Sequence, residues 1–122
     1  MKKSCLVLLA HGSRNPGWRA PFEELLGDLR RESGGDRIRL AYLQMAEPSL
    51  ANVVRDLASA GTRAIRILPL LISAGNHAEA DIPAEVAALR KKHPGIAMEI
   101  LPPIGSHPRF KNMMRELVGE LL

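Results

Sequence analysis

Three residues of this 122-residue chain, His11, Glu47 and His77, carry side chains suited to holding a divalent metal. Two imidazoles and a carboxylate form a His2Glu set, which leaves at least one coordination position open to substrate or water. Imidazole brings a second capacity, because its ordinary pKa of about 6.5 keeps a neutral, basic population at working pH. The same set can therefore present a metal and accept protons. Each residue also has a plainer explanation. Glu47, before Pro48-Ser49, complements the positive end of a helix dipole, and His11 and His77 serve as polar residues of loops.

For residues so far apart in sequence to meet, the chain must carry them to one edge of a common scaffold. Four apolar, β-prone runs stand at 5–10, 38–45, 64–72 and 96–101. Each is followed by a segment with helical spacing, at 21–31, 49–60, 83–92 and 109–122. This alternation predicts an α/β fold, a three-layer sandwich in which helices flank both faces of a four-stranded parallel sheet. Gly34-Gly35, Gly61 and Pro94-Gly95 mark the returns from helix to strand. Pro48-Ser49, Asp81-Ile82-Pro83 and Ser106-His107-Pro108 mark helix starts, with Ser106 the expected cap of the last. Neither linker nor repeat interrupts the pattern, so residues 1–122 read as one domain. Ligands of such sheets bind outside the carboxyl ends of the strands. That rule gathers His11 after the first strand, Glu47 beyond the second, and His77 in a loop of small residues after the third.

Composition narrows the partners. With 46% apolar and 25% charged residues the chain is globular rather than disordered. Cys5 is the single cysteine, which rules out an internal disulfide, and its apolar neighbours predict a buried, inert thiol. Lys2-Lys3 and the short apolar run after them read as a first strand and not a signal peptide. No run approaches the roughly 20 apolar residues of a membrane span, so the expected location is the cytoplasm, away from any membrane. A net charge of +4 suits an anionic partner, but the basic residues are scattered and aromatics make up only 3% of the chain. A small polyanion fits better than a nucleic acid. Trp18, a lone tryptophan on an amphipathic helix, is expected to serve in packing rather than to cover a ligand's edge, and His93 to lie at a helix C-terminus.

At these residues the sequence resembles the sirohydrochlorin cobaltochelatases of the CbiX type, in their short, single-domain form. The resemblance rests on Leu9-Ala10-His11-Gly12-Ser13-Arg14, on Ala46-Glu47-Pro48-Ser49-Leu50, and above all on Leu68 to His77 running into Asp81-Ile82-Pro83. Leu71 stands where that family often has phenylalanine. The resemblance implies a chelatase-like, flavodoxin-like fold, half of a two-lobed enzyme, with a homodimer restoring the second lobe. It implies His11, His77 and Glu47 as both metal-binding and catalytic residues. The metal is then a substrate, Co2+ first and Fe2+ or Ni2+ next, with no organic cofactor.

Metal insertion exchanges the metal's earlier ligands for four ring nitrogens and releases two pyrrole protons. His11 and His77 are expected to present the metal and take the protons, with Glu47 completing the site or relaying protons outward. Sirohydrochlorin carries eight carboxylates, and Ser13, Arg14, Gly75, Asn76, His107 and Arg109, with Arg19 close by, are the residues expected to meet them. Three other functions compete, one of them a flavodoxin-like or nucleotide-binding module, against which no G-x-G-x-x-G or P-loop pattern follows any strand. A metal carrier needs the same ligands without turnover. A phosphohistidine-type phosphatase usually places arginine before its histidine, where this chain has Ala10.

Overall fold

The computed structural model describes residues 3–73 and 75–122, with the backbone alone at 76–79. Strands β1 (Ser4–Ala10), β2 (Ile38–Tyr42), β3 (Ala64–Pro69) and β4 (Ala97–Ile100) alternate with helices α1 (Pro16–Leu29), α2 (Leu50–Ser59), α3 (Gly75–Lys92) and α4 (Pro108–Leu121). The strands are parallel, in the order β2-β1-β3-β4. The expected α/β sheet is present.

Strand β1 lies inside the sheet, and its alternate residues feed two separate cores. Cys5, Val7 and Leu9 meet Ile65 and Ile67 of β3, Val53, Val54 and Leu57 of α2, and Ile82, Val86 and Leu89 of α3. Leu8 and Ala10 point the other way, to Leu40 and Tyr42 of β2 and to Trp18, Phe22 and Leu26 of α1. Burial on both faces is why β1 is apolar throughout. Each fully buried aliphatic side chain contributes about 1.5–3 kcal/mol. Trp18 packs as expected, its ring 4.8 Å from that of Phe22 and 6.4 Å from that of Tyr42. Cys5 is buried, and desolvation pushes its thiol pKa up against the opposing pull of Arg39, Arg30 and Arg37. The thiol is therefore poorly nucleophilic.

Several element ends differ from those expected. Strand β2 stops at Tyr42 rather than at 45, and β3 stops at Pro69 rather than at 72. Helix α1 begins at Pro16, where Asn15 caps it by accepting a bond from the Gly17 N–H at 2.9 Å. Pro21, expected in a first turn, lies inside this helix. Past Leu29 the chain loosens into a π-helical turn, Arg30–Gly34, and a 3-10 turn, Gly35–Arg37. Helix α3 begins at Gly75, so Asp81-Ile82-Pro83 lies within it and does not open it. Burial of Ile82, Val86 and Leu89 on one stripe holds the helix through Pro83, whose own position is exposed. His107 caps α4, its Nδ1 accepting from the Arg109 N–H at 3.1 Å, whereas Ser106 donates its hydroxyl back to the Pro103 carbonyl. His93 follows the end of α3, as expected.

The sheet's two faces are unequally covered. Helices α2 and α3 cover one of them. On the other, α1 covers β2 and β1, while β3 and β4 present Arg66 and Glu99, paired at 4.0 Å with each side chain more than 60% exposed. Helix α4 buries none of its residues and meets the body chiefly through the 3-10 turn Ile104–Ser106 before it. Among the described residues, no helix is long and apolar enough to cross a membrane.

Candidate active site

The loops after β1 and β2 are locked together beyond the strands themselves. The Leu43 N–H donates to Ala10 O at 2.9 Å and the Gln44 N–H to His11 O at 3.1 Å, continuing the ladder past both strand ends. Gly12 makes this possible. Its φ is 106°, and a Cβ there would fall 1.7 Å from the Gln44 carbonyl oxygen, so only glycine fits. On the other side of β1, the Leu70 N–H donates to Leu9 O at 2.8 Å, tying the start of the third loop to the same strand.

His11 is exposed at the carboxyl end of β1, its Nδ1 3.4 Å from Gly12 O. Glu47 is exposed in the β2–α2 loop, where its Oε2 accepts from the Ser49 N–H at 3.3 Å and from Asn52 Nδ2 at 3.1 Å. Ser49 itself caps α2. Glu47 therefore does support the helix start, but through one oxygen, which leaves Oε1 for a metal or a proton. His77 stands in the first turn of α3 and not in a loop. Its imidazole and the Asn76 side chain, like Ala74, lie outside the described residues. Among the described residues, no group of three His, Cys, Asp or Glu side chains could hold a metal ion.

Of the expected substrate contacts, Ser13 and Arg14 lie on the His11 loop, and Gly75 opens α3 with φ 63°. Ser13 Oγ accepts from the Asn15 N–H at 3.1 Å, and its carbonyl accepts from Arg19 at 2.9 Å. His107 and Arg109 are exposed at the start of α4, where the cap engages Nδ1 of His107 and leaves Nε2 outward.

A cleft of about 470 Å³ along the free edge of β2 escaped the sequence reading. Arg19, Arg30, Arg39, Glu23, Tyr42 and Glu47 line it. Arg30 is held by two bonds to Ile38 O, at 3.0 and 2.8 Å. The Tyr42 hydroxyl is buried without a hydrogen-bond partner among the described residues, and desolvation pushes its pKa up, with Glu23 adding and Arg19 opposing. Strand order puts β2 at the edge of the sheet, and nothing in the sequence showed that Arg19 and Arg30 of other elements would close on it.

The open four-stranded parallel sheet flanked by helices defines the class, a chelatase-like α/β domain. The family model described as CbiX matches residues 5–121, and the chain belongs to that family. It is 29% identical over 117 residues to the sirohydrochlorin cobaltochelatase of Sulfurisphaera tokodaii, covering 96% of this chain and 92% of that protein. It is 25% identical to the chloroplastic sirohydrochlorin ferrochelatase of Arabidopsis thaliana, covering 94% of this chain and 49% of that one. The structure of a CbiX protein from Marinobacter aquaeolei VT8 superposes with a TM-score of 0.85 at 32% identity, covering 96% and 95% of the two chains. The cobalt complex of the sirohydrochlorin chelatase SirB from Bacillus subtilis subspecies spizizenii shares the fold, with a TM-score of 0.82 at 22% identity. This chain spans 50% of that one.

Proposed function

We propose that this protein inserts a divalent metal into sirohydrochlorin, in tetrapyrrole biosynthesis, and that His11, His77 and Glu47 form the site. The observation that carries the assignment is positional. His11 leaves β1, His77 follows β3 on one side of it, and Glu47 follows β2 on the other. Two loops and the first turn of α3, which follow three adjacent strands, are the arrangement that supports the reading.

The histidines present the metal and take up the two protons that leave the pyrrole nitrogens as the four Metal–N bonds form. Glu47 completes the site through Oε1 or passes those protons to solvent. Ser13, Arg14, Gly75, Asn76, His107 and Arg109 surround the rim with donors for the macrocycle's carboxylates. Relatives carry both cobaltochelatase and ferrochelatase names, and imidazole with carboxylate accepts either ion. Co2+ is the first choice of substrate metal, with Fe2+ and Ni2+ next. The working unit is a cytoplasmic homodimer, which supplies as much protein as the longer relatives, of which this chain spans about half.

The test is anaerobic insertion of Co2+ into sirohydrochlorin, followed by the tetrapyrrole spectrum with the spontaneous rate subtracted. Wild type is expected to accelerate insertion, and His11→Ala and His77→Ala each to lose at least about 100-fold, the size of effect seen when a general base is removed. Wild type matching background with Co2+, Fe2+ and Ni2+ sinks the enzymatic reading and leaves a metal carrier.

A further inference from the structure

Helix α4 carries an apolar stripe that none of the described residues of its own chain buries. Met113, Met114, Leu117, Val118 and Leu121 are among the large hydrophobic residues left exposed, Leu117 at 44% and Leu121 at 75%. With Phe110 they follow the spacing i, i+3, i+4, i+7, i+8, i+11, which is one face of a helix. The open part of the sheet beside β3 and β4 does not match it, because it bears Arg66 and Glu99. Contiguous apolar surface of this kind marks an interface.

The order of residues along α4 points to its occupant. The stripe is symmetric about a point between Arg115 and Glu116, so that Phe110 mirrors Leu121, Met113 mirrors Val118 and Met114 mirrors Leu117. Charge is antisymmetric about the same point. Arg109, Lys111 and Arg115 precede it, and Glu116 and Glu120 follow it. Such a helix complements an antiparallel copy of itself, since a two-fold contact sets each position against its mirror and each basic half against an acidic half. By the 3.6-residue period, Arg109 and Glu120 lie on the same flank of the stripe, within reach of each other's counterpart across the pair.

We propose that α4 is the contact by which two copies of this chain pair, antiparallel, through the stripe from Phe110 to Leu121. The inference rests on the homodimer reading above and locates its interface. The helix pair is about 21 Å long. Ile72, 76% exposed, extends it at the base of α4, where the Ile72 backbone packs against Gly105. The two-fold operation carries His107 and Arg109 of each copy to the far end of the other copy's α4, so the two rims are joined by this helix pair.

Sedimentation velocity on the full chain across 1–100 µM is the test, with circular dichroism to check folding. Wild type is expected at twice the mass of one chain and Leu117→Glu at the mass of one, with an unchanged spectrum because α4 buries nothing in its own chain. Arg109→Glu and Glu120→Arg should each weaken the dimer several-fold, and the two variants mixed should form a heterodimer tighter than either homodimer. A monomeric wild type overturns the homodimer reading and this contact together. A dimer that survives Leu117→Glu, or a mixture no tighter than its parts, overturns the α4 contact alone, and neither result touches the metal-insertion assignment.

Discussion

Successive residues of β3 illustrate how differently the two faces of the sheet are built. Ile67 is wholly buried between β1, α2 and α3, while Arg66, one position earlier, is 63% exposed beside Glu99. One face is a closed core supplied by two helices, and the other is closed over β2 and β1 but charged over β3 and β4. Stability should therefore reside on the first face, with the charged part of the second contributing little. Ile67→Ala is expected to cost about 3–4 kcal/mol in urea denaturation, because it removes a fully packed side chain and leaves a cavity. Arg66→Ala and Glu99→Ala should each change stability by less than about 0.5 kcal/mol, as exposed pairs do. Similar losses on both faces would erase the distinction.

The rim between the faces is a second place to press. Gly12→Ala forces a side chain into the Gln44 carbonyl and strains a φ that L residues rarely adopt. It should cost about 1–3 kcal/mol and, by separating the His11 loop from its neighbour, lower metal insertion further than the stability loss explains. A variant with wild-type turnover would show that the clamp on His11 is structural only.

The smallest effect concerns α3, on the closed face. Burial raises the Glu85 carboxyl pKa above its ordinary 4.5, with Asp81 adding to the shift. The folded state then holds that proton more tightly than the unfolded one. The group favours folding at pH below 4.5, and the advantage is lost as pH rises through the raised value. Glu85→Gln should raise the Tm by about 1–2 °C at pH 7 and leave it unchanged near pH 4, as read by thermal denaturation. An equal shift at both pH values would assign the effect to something other than ionisation.

The alternation of strands and helices and the parallel pairing were legible because each apolar run is followed by a segment of helical spacing, which implies crossover connections; the inner position of β1 emerged only with the structure. The starts of α1 and α3 were not legible. Pro21 and Pro83 look like first-turn residues, yet the packing of Trp18, Phe22 and Leu26 in one helix, and of Ile82, Val86 and Leu89 in the other, outweighs the bond each proline removes. Asn15-Pro16 carries a cap signal of its own, a side-chain acceptor followed by proline at the first helical position. In the candidate site, His11 and Glu47 were placed on the correct loops, because strand ends fix loops. The engagement of Glu47 Oε2 by Ser49 and Asn52, and the cleft beside it, depend on side chains from separate elements, and no local pattern encodes that. The unpartnered state of α4 was likewise invisible, since an amphipathic helix reads the same whether its cover comes from its own chain or from another.

The two main-chain bonds that bind Gln44 and Leu43 to the end of β1 have a mechanical consequence. They make the His11 jaw stiff, with rotation about its side-chain bonds as the freedom that remains. In the proposed insertion a macrocycle must approach the metal closely enough for four nitrogens to displace the proposed ligands, and the compliance for that approach would come from the opposing side of the rim or, in the proposed pair, from relative movement of the two copies.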